Sequence, residues 1–378
     1  MTKFPSFLPF LLLIAALISA CASNQAHKGN SYTPAEVRSA LESGQAVERS
    51  VPFIDREFSP WMNGRWIGQA VSYGCYRDGQ APGVSGPNKA EILEDLEIIV
   101  KHWNLIRVYN ADDDTQRILE VISENGLPLQ MMLGIWLENE ENNPAARKSN
   151  IENVLRGIEL ANGYPDIVTA VNVGNETQVF WSGHKLDTAS LIRYIRAVRT
   201  HTKVPVTTAD DYNYWNKAES AQVADEIDFM VTHIYPLWNG KTLENAIKLL
   251  DETFDDVKQL HPRKTLVLGE IGWATNYNPD KKGDGEQGTL IKGEVGIKAQ
   301  ETFLLELDQW VRNNQITTFL FEVFDEPWKG GGEDSGPNEI EKNWGVFYQD
   351  RTPKTSFINY LSKQENKDED QFLRRREK

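Results

Sequence analysis

Between Trp61 and Leu361 short apolar, β-branched runs recur, and each is followed by a stretch with the period of a helix. The runs at 68–74, 105–109, 129–136, 167–173, 204–208, 228–234, 265–269 and 317–323 predict eight strands. Between them, Leu191, Tyr194, Ile195 and Val198 share one helix face, as do Leu243, Ala246, Ile247 and Leu250. Gly126 marks the end of another helix. Alternation of strand and helix implies a parallel sheet, and eight units suit a closed (β/α)8 TIM barrel with longer loops after strands 1, 7 and 8. An open doubly wound sheet is the alternative, weakened because no Gly-x-Gly-x-x-Gly follows the first strand.

The ends of the chain lack this pattern. Lys3, the apolar stretch from Phe7 to Ile18 and the small residues before Cys21 form a secretory signal over residues 1–20, too short to span a bilayer. Ile18-Ser19-Ala20-Cys21 resembles the bacterial lipoprotein processing site. That resemblance implies a mature chain starting at Cys21, acylated there and anchored in the cell envelope, at the outer membrane or the periplasmic face. With Cys21 incidental, the protein would be secreted and soluble. Residues 21–55 are polar and read as a tether carrying one helix near 34–43, residues 56–362 as the barrel domain, and the charged residues 363–378 as a solvated tail.

Charge and composition narrow the partners. The chain carries 40 Lys and Arg against 55 Asp and Glu, a net charge of -15 that would repel nucleic-acid phosphates. Its two cysteines build no disulfide framework, and neither Cys-x-x-Cys nor His-Glu-x-x-His occurs, so the usual zinc sites lack their ligands. Eleven Trp and twelve Tyr among many acids suit a neutral, hydroxyl-rich, flat-faced ligand such as a sugar, although many of those rings must be core. No metal and no cofactor is predicted, and a monomer is expected.

In a barrel of this kind the active site lies at the C-terminal ends of the strands. Two runs end there in glutamate, Val171-Asn172-Val173-Gly174-Asn175-Glu176 on strand 4 and Leu266-Val267-Leu268-Gly269-Glu270 on strand 7. Strands 4 and 7 face each other across the mouth, and two opposed carboxyl groups about 5 to 5.5 Å apart are what retaining glycoside hydrolysis requires. Either residue alone could instead be half of a structural ion pair. Arg107 and Tyr109, ending strand 2, would sit near Glu270, where a fixed positive charge favours the ionised carboxylate. Trp136, Trp181, Trp238, Trp273 and Trp328 fall at or beyond strand ends, where a ring either stacks on a pyranose or packs the barrel. Asp210 and Asp211 follow strand 5 and either bind hydroxyls or cap a helix, with capping preferred for one of them.

Taken in order, these strings resemble glycoside hydrolase family 17, the β-1,3-glucanases. The resemblance runs from Tyr73 to Phe347. It includes Tyr73 to Gly83, Ile106-Arg107-Val108-Tyr109, Val171 to Glu176, Gly269-Glu270-Ile271-Gly272-Trp273-Ala274-Thr275 and Phe324-Asp325-Glu326-Pro327-Trp328-Lys329. It implies that Glu176 is the acid/base and Glu270 the nucleophile, that Tyr235 donates to the nucleophile, and that Asn175 grips the sugar 2-hydroxyl. Glu326 and Lys329 match the acidic and basic pair beside the nucleophile. Tyr73, Arg107, Tyr109, Trp136, Trp273 and Trp328 complete the expected sugar site. The implied activity is retaining hydrolysis of β-1,3-glucan, endo or exo. A transglycosylase that intercepts the same intermediate with a sugar hydroxyl is the first alternative, and a lipoprotein that binds glycan without cleaving it is the second.

Three other features invite weaker readings. Asp112-Asp113-Asp114 precedes a helix, where acids favour the positive end of the dipole, so capping is expected there rather than a cation site. Gly330-Gly331-Gly332 lacks the Lys-Ser/Thr of a phosphate loop and reads as a turn. His233, on an apolar strand, is expected to be a hydrogen-bonding residue of the barrel interior rather than a metal ligand.

Overall fold

The structure, a computed structural model, describes residues 33–364. Its centre is a barrel of eight parallel strands, one for each predicted run: β1 (Gln69–Ser72), β2 (Leu105–Arg107), β3 (Gln130–Ile135), β4 (Val168–Asn175), β5 (Val206–Asp211), β6 (Met230–His233), β7 (Leu266–Ile271) and β8 (Thr318–Leu320). Each strand pairs with its sequence neighbours, and β8 returns to β1 with Thr318 opposite Gln69 and Phe319 opposite Ala70. That last ladder closes the sheet and excludes the open, doubly wound alternative. Helices on the outside include Lys89–Ile99, Asp113–Asn125, Pro144–Gly163, Thr188–His201, Leu243–Leu260 and Ile297–Asn314.

Local chemistry sets where these elements start and stop. Asn88 and Glu91 form a reciprocal capping box on the helix Lys89–Ile99. Asp112 caps the next helix by accepting from the Thr115 N–H at 2.9 Å, and Gly126 ends it in the left-handed region, φ 59°. The acidic triplet therefore caps a helix, as expected. Ahead of β1, the two-residue strands Trp61–Met62 and Arg65–Trp66 pair antiparallel around Asn63-Gly64. Both turn residues have positive φ, 51° and 76°, as a tight hairpin with right-handed twist demands.

Two apolar layers stabilise the barrel. One lies between strands and helices. The other fills the lower interior with Ala70, Leu105, Met132, Ala170, Ala209, Phe229, Val231, Val267 and Phe319, and takes in Phe58 and Ile67, which flank the hairpin. Phe58 stacks on Phe229 with ring centroids 4.7 Å apart. Below the mouth the barrel is thus a packed core.

From residue 33 onward, the segment read as a tether lies against the domain. The helix Pro34–Glu42 buries Val37 and Leu41, Arg147 donates to the Leu41 carbonyl at 3.0 Å, and the Arg199 guanidinium sits 3.9 Å from the centre of the Phe53 ring. Polar composition concealed this because the contacts use arginines of the barrel helices. The signal, Cys21 and most of the C-terminal tail lie outside the described residues. Among those described, no helix is long and apolar enough to cross a membrane.

Candidate active site

Side chains alternate faces along a strand, so the positions two residues beyond the apolar interior layer also point inward. Ala70, Leu105, Ala170 and Val231 are followed at that spacing by Ser72, Arg107, Asn172 and His233, every one buried and polar. The interior changes from apolar to polar over one layer, and the two strand-end glutamates stand above it.

Glu270 also points inward, although it lies an odd number of residues from the interior Val267, because the β6–β7 ladder shifts register at Gly269. Its Oε1 receives Arg107 Nη1 at 2.7 Å, and its Oε2 receives the Tyr235 hydroxyl at 2.6 Å. Burial pushes this carboxyl up. The His233 ring, the Arg107 charge and the hydrogen bonds from Tyr235 and Arg107 outweigh that effect and hold it well below the usual carboxylate range. Arg107 is fully buried and also donates to the Gly269 carbonyl at 2.9 Å and to Asn175 Oδ1 at 2.5 Å, with its guanidinium 4.7 Å from the Tyr109 ring centre.

Glu176 follows β4 in an unusual backbone state. Gly174 has φ 81° and Glu176 itself φ 49°, a conformation that costs a bulky residue energy and is kept where the surroundings enforce it. Two contacts do so. The Glu176 N–H donates to the Ala209 carbonyl at 2.8 Å, and Asp210 accepts from the backbone N–H groups of Gln178 and Val179 at 2.8 and 3.1 Å. Asp211 caps the short helix Tyr212–Trp215 by accepting from the Asn213 N–H at 2.8 Å. Of the two aspartates, one caps and the other clamps the turn that carries Glu176.

Between the glutamates stands His233, fully buried, with Nδ1 2.9 Å from Glu176 Oε1 and Nε2 3.5 Å from Glu270 Oε1. One ligand-type atom from each of Glu176, His233 and Glu270 lies within 4.8 Å of the others, the one grouping of this kind among the described residues. By donor type it could hold a divalent cation. However, Arg107 and Tyr235 already take both oxygens of Glu270, so the arrangement suits an ionised carboxylate held by protein donors better than a metal ligand.

The remaining predicted residues divide. Tyr109, Asn175, Trp136, Glu326, Trp328 and Lys329 line, with Glu270, a cavity of about 630 Å³ over the first three strands and the loop after β8. Lys329 pairs with Glu326 and, at 2.8 Å, with Glu322, while Trp328 donates to Glu326 at 2.9 Å. Burial and the adjacent Glu326 push the Glu322 carboxyl well up; against its own burial, Glu326 is held down chiefly by Lys329. Gly74 permits this packing, since a Cβ there would lie 2.0 Å from Glu326 Oε1. Tyr73 also borders the cavity, but its hydroxyl donates to Asp95 at 3.0 Å on the helix Lys89–Ile99 and is not free for a sugar.

Trp273 does not belong to the site. It is 1% exposed, packs on Phe303 and donates to the Glu294 carbonyl at 2.8 Å. It lies two residues beyond the end of β7 and packs outward against the helix Ile297–Asn314. Trp181 is exposed at 49% and stacks edge-on with Phe180, and Trp238 hydrogen-bonds Glu341. Sequence reasoning missed Glu322 and Glu341 and underrated His233. Burial, helped by the charges of Glu176 and Glu270, raises the Glu341 carboxyl to about 7, against the pull of Lys329 and Trp238. No spacing rule would have found Glu341, because a long loop brings it in.

Known proteins resemble this chain in sequence and in fold. A glucan 1,3-beta-glucosidase of Arthroderma benhamiae is 26% identical over 302 residues, covering 76% of this chain and 92% of its own length. The btgC protein of Aspergillus niger is 29% identical over 281 residues, and the match covers 71% of this chain but 40% of that longer protein. Among solved structures, an endo-laminarinase from Formosa Hel1_33_131 superposes with a TM-score of 0.67 at 22% identity, covering 79% of this chain and 88% of that one. A glycoside hydrolase family 17 β-1,3-glucanosyltransferase from Rhizomucor miehei superposes with a TM-score of 0.59 at 23% identity, covering 76% and 95%. Residues 70–345, most of the chain, match the BtgE/BtgC glycoside hydrolase domain, and the protein belongs to that family.

Proposed function

We propose that the protein is a retaining glycosidase acting on β-1,3-glucan, with Glu270 as nucleophile and Glu176 as acid/base. The observation that carries this reading is the approach of the two carboxyl groups, with oxygens within 4.8 Å, in the range that suits direct attack rather than insertion of a water. Their surroundings differ as the two roles require. Glu270 is kept ionised by Arg107 and Tyr235 and attacks the anomeric carbon. Glu176, with 27% of its side chain exposed, gives its proton to the departing oxygen and later takes one from water. Asn175 has its carbonyl oxygen occupied by Arg107, which leaves its NH₂ as the group available to the sugar 2-hydroxyl. Trp136 and Trp328 offer flat faces along the cavity.

Two measurements test this. NMR of the first product from laminaritetraose should show the β-anomer; initial release of the α-anomer would overturn retention. A 2-deoxy-2-fluoro β-laminaribiosyl fluoride should add its glycosyl mass to the peptide containing Glu270, and labelling elsewhere would reassign the nucleophile. Products longer than the starting oligosaccharide would favour glucan transfer, the chemistry named for the Rhizomucor miehei neighbour. We further propose envelope anchoring through Cys21, which Cys21→Ser should abolish, releasing the protein from the membrane fraction.

A further inference from the structure

We propose that His233 is a positioning residue that couples the charge of Glu270 to the protonation of Glu176, so that the two carboxyl groups hold opposite states through the reaction. This rests on the retaining mechanism above and assigns a new role within it. The observations are geometric. One ring faces both carboxyls through its two different nitrogens: Nδ1 is hydrogen-bonded to Glu176 at 2.9 Å, and Nε2, fully buried and without a hydrogen-bond partner, lies 3.5 Å from Glu270 Oε1. Gly269 makes room for the ring in this place, since a Cβ there would lie 3.1 Å from it and 2.3 Å from Val231.

A neutral imidazole carries one N–H and one lone pair. Set between two carboxyls, it can donate to one and must accept from the other. In the free enzyme Glu270 is ionised, which favours the proton on Nε2; Nδ1 is then an acceptor, and the O–H of protonated Glu176 donates to it. The ring thus favours the acid form of Glu176 when the nucleophile is charged. In the first step the Glu176 proton passes to the leaving oxygen, the old glycosidic bond breaks, and a Glu270 oxygen bonds to the anomeric carbon and loses its charge. Glu176 is now the carboxylate and Glu270 the ester. The preference reverses: the ring loses the Nε2 proton and gains one at Nδ1 by exchange with water, its proton count unchanged, and donates to Glu176. Hydrolysis of the ester returns each group to its starting state.

Other charges near the ring do not supply this link. Arg107 on β2 reaches Glu270 and Asn175. Asp211 on β5 lies within electrostatic range of both Glu176 and His233. Tyr235, two residues along the ring's own strand, donates to Glu270. Glu341, from the loop after β8, is within range of both glutamates. His233 alone among the named groups touches both carboxyls with nitrogens of switchable role.

The test uses the intact protein. With ¹⁵N-labelled histidine, six residues in all, the ring nitrogens of His233 are read free and after trapping with the 2-deoxy-2-fluoro laminaribiosyl fluoride. The proton is expected on Nε2 in the free enzyme and on Nδ1 in the trapped one; the same tautomer in both overturns the proposal. His233→Asn and His233→Phe provide the kinetic counterpart. The basic limb of kcat/KM for laminaritetraose should move down by about one pH unit, and the acid limb of kcat for a dinitrophenyl β-laminaribioside, limited by deglycosylation, should move up by a similar amount. Lower rates with both limbs in place would mark His233 as merely structural. Failure of the wild-type protein to trap any glycosyl group would instead count against the retaining mechanism itself.

Discussion

The lower and upper halves of the barrel interior are built by the same strands, one inward position apart, and they obey opposite rules. Below, Leu105, Met132, Val231 and Phe319 interdigitate with no polar atom to satisfy. Above, Arg107, Asn172 and His233 are just as buried, yet each is a polar group whose removal from water must be offset by a partner. The lower layer stabilises by area and shape, which many apolar side chains could supply. The upper layer depends on partner identity, because Arg107 without Glu270, or Glu270 without Arg107, leaves a buried charge uncompensated. The comparison teaches that stability and function are separated along the strand axis by about two residues, and that substitutions in the two layers should fail differently.

The largest expected effect is at the top. Glu270→Gln and Glu176→Gln keep shape, and should each lower turnover of a β-1,3-glucan by at least about 10⁴-fold. Glu176→Gln should leave the melting temperature little changed, whereas Glu270→Gln should lower it by leaving the buried Arg107 charge uncompensated. Near wild-type turnover by either variant would remove that residue from the chemistry. Next, Arg107→Met should lower stability by about 3–5 kcal/mol by stranding Glu270, and should move the acid limb of kcat/KM to higher pH. Arg107 helps hold Glu270 down, so without it the carboxyl takes up its proton at higher pH and the nucleophile is lost earlier on acidification. The same logic applies to folding. A carboxyl lowered in the folded state contributes stability that is complete above the ordinary carboxylate range and is lost as pH falls through its folded value. In Arg107→Met this acid-side loss should shrink, a difference that melting curves from pH 3 to 7 would register.

Much of this division was legible in the sequence. The eight runs gave the barrel, and both strand-end glutamates, Asn175, Arg107 and Tyr235 meet where position along a strand places them. What failed was the placing of Trp273. Trp273 was taken as a sugar platform, although it lies in the turn after β7 and is buried against Phe303 of the outer helix. His233 was read as an interior hydrogen bonder and is one: its even offset from Val231 and Tyr235 places it inside, directly under the mouth, where Nδ1 meets Glu176. Parity was available for His233 on β6, but not for Trp273 beyond the end of β7. For Glu322, Glu341 and the clamp by Asp210 it was not enough, because those roles depend on loop paths and on tertiary approach. The helix at Pro34 was foreseen, but its docking rests on partners more than 100 residues away, such as Arg147.

A lower-layer substitution should reverse the pattern seen at the mouth. Met132 is fully buried among apolar side chains, and Met132→Ala should cost about 2–5 kcal/mol through lost contacts and residual cavity. Below its melting transition the variant should keep wild-type kcat and both pH limbs. A shifted limb would show that the apolar layer sets the height of the polar one, and would break the separation argued above.

The smallest effect should come from the boundary, at Asp211. Burial, with Glu176 adding to it, raises this carboxyl to about 7, although the Asn213 N–H groups favour its charged form. A group raised in the folded state binds its proton more tightly folded than unfolded, so its contribution falls as pH climbs from about 4 through 7. Asparagine caps a helix as well as aspartate does, but it cannot ionise. Asp211→Asn should therefore match the wild type in unfolding free energy near pH 4 and exceed it at pH 8, by on the order of 1 to 2 kcal/mol. If the two proteins instead keep parallel profiles across that range, Asp211 ionises as freely as a surface carboxylate. Water would then reach further down the polar layer than the buried side chains imply, and the step between the two halves of the barrel would be shallower than one residue layer.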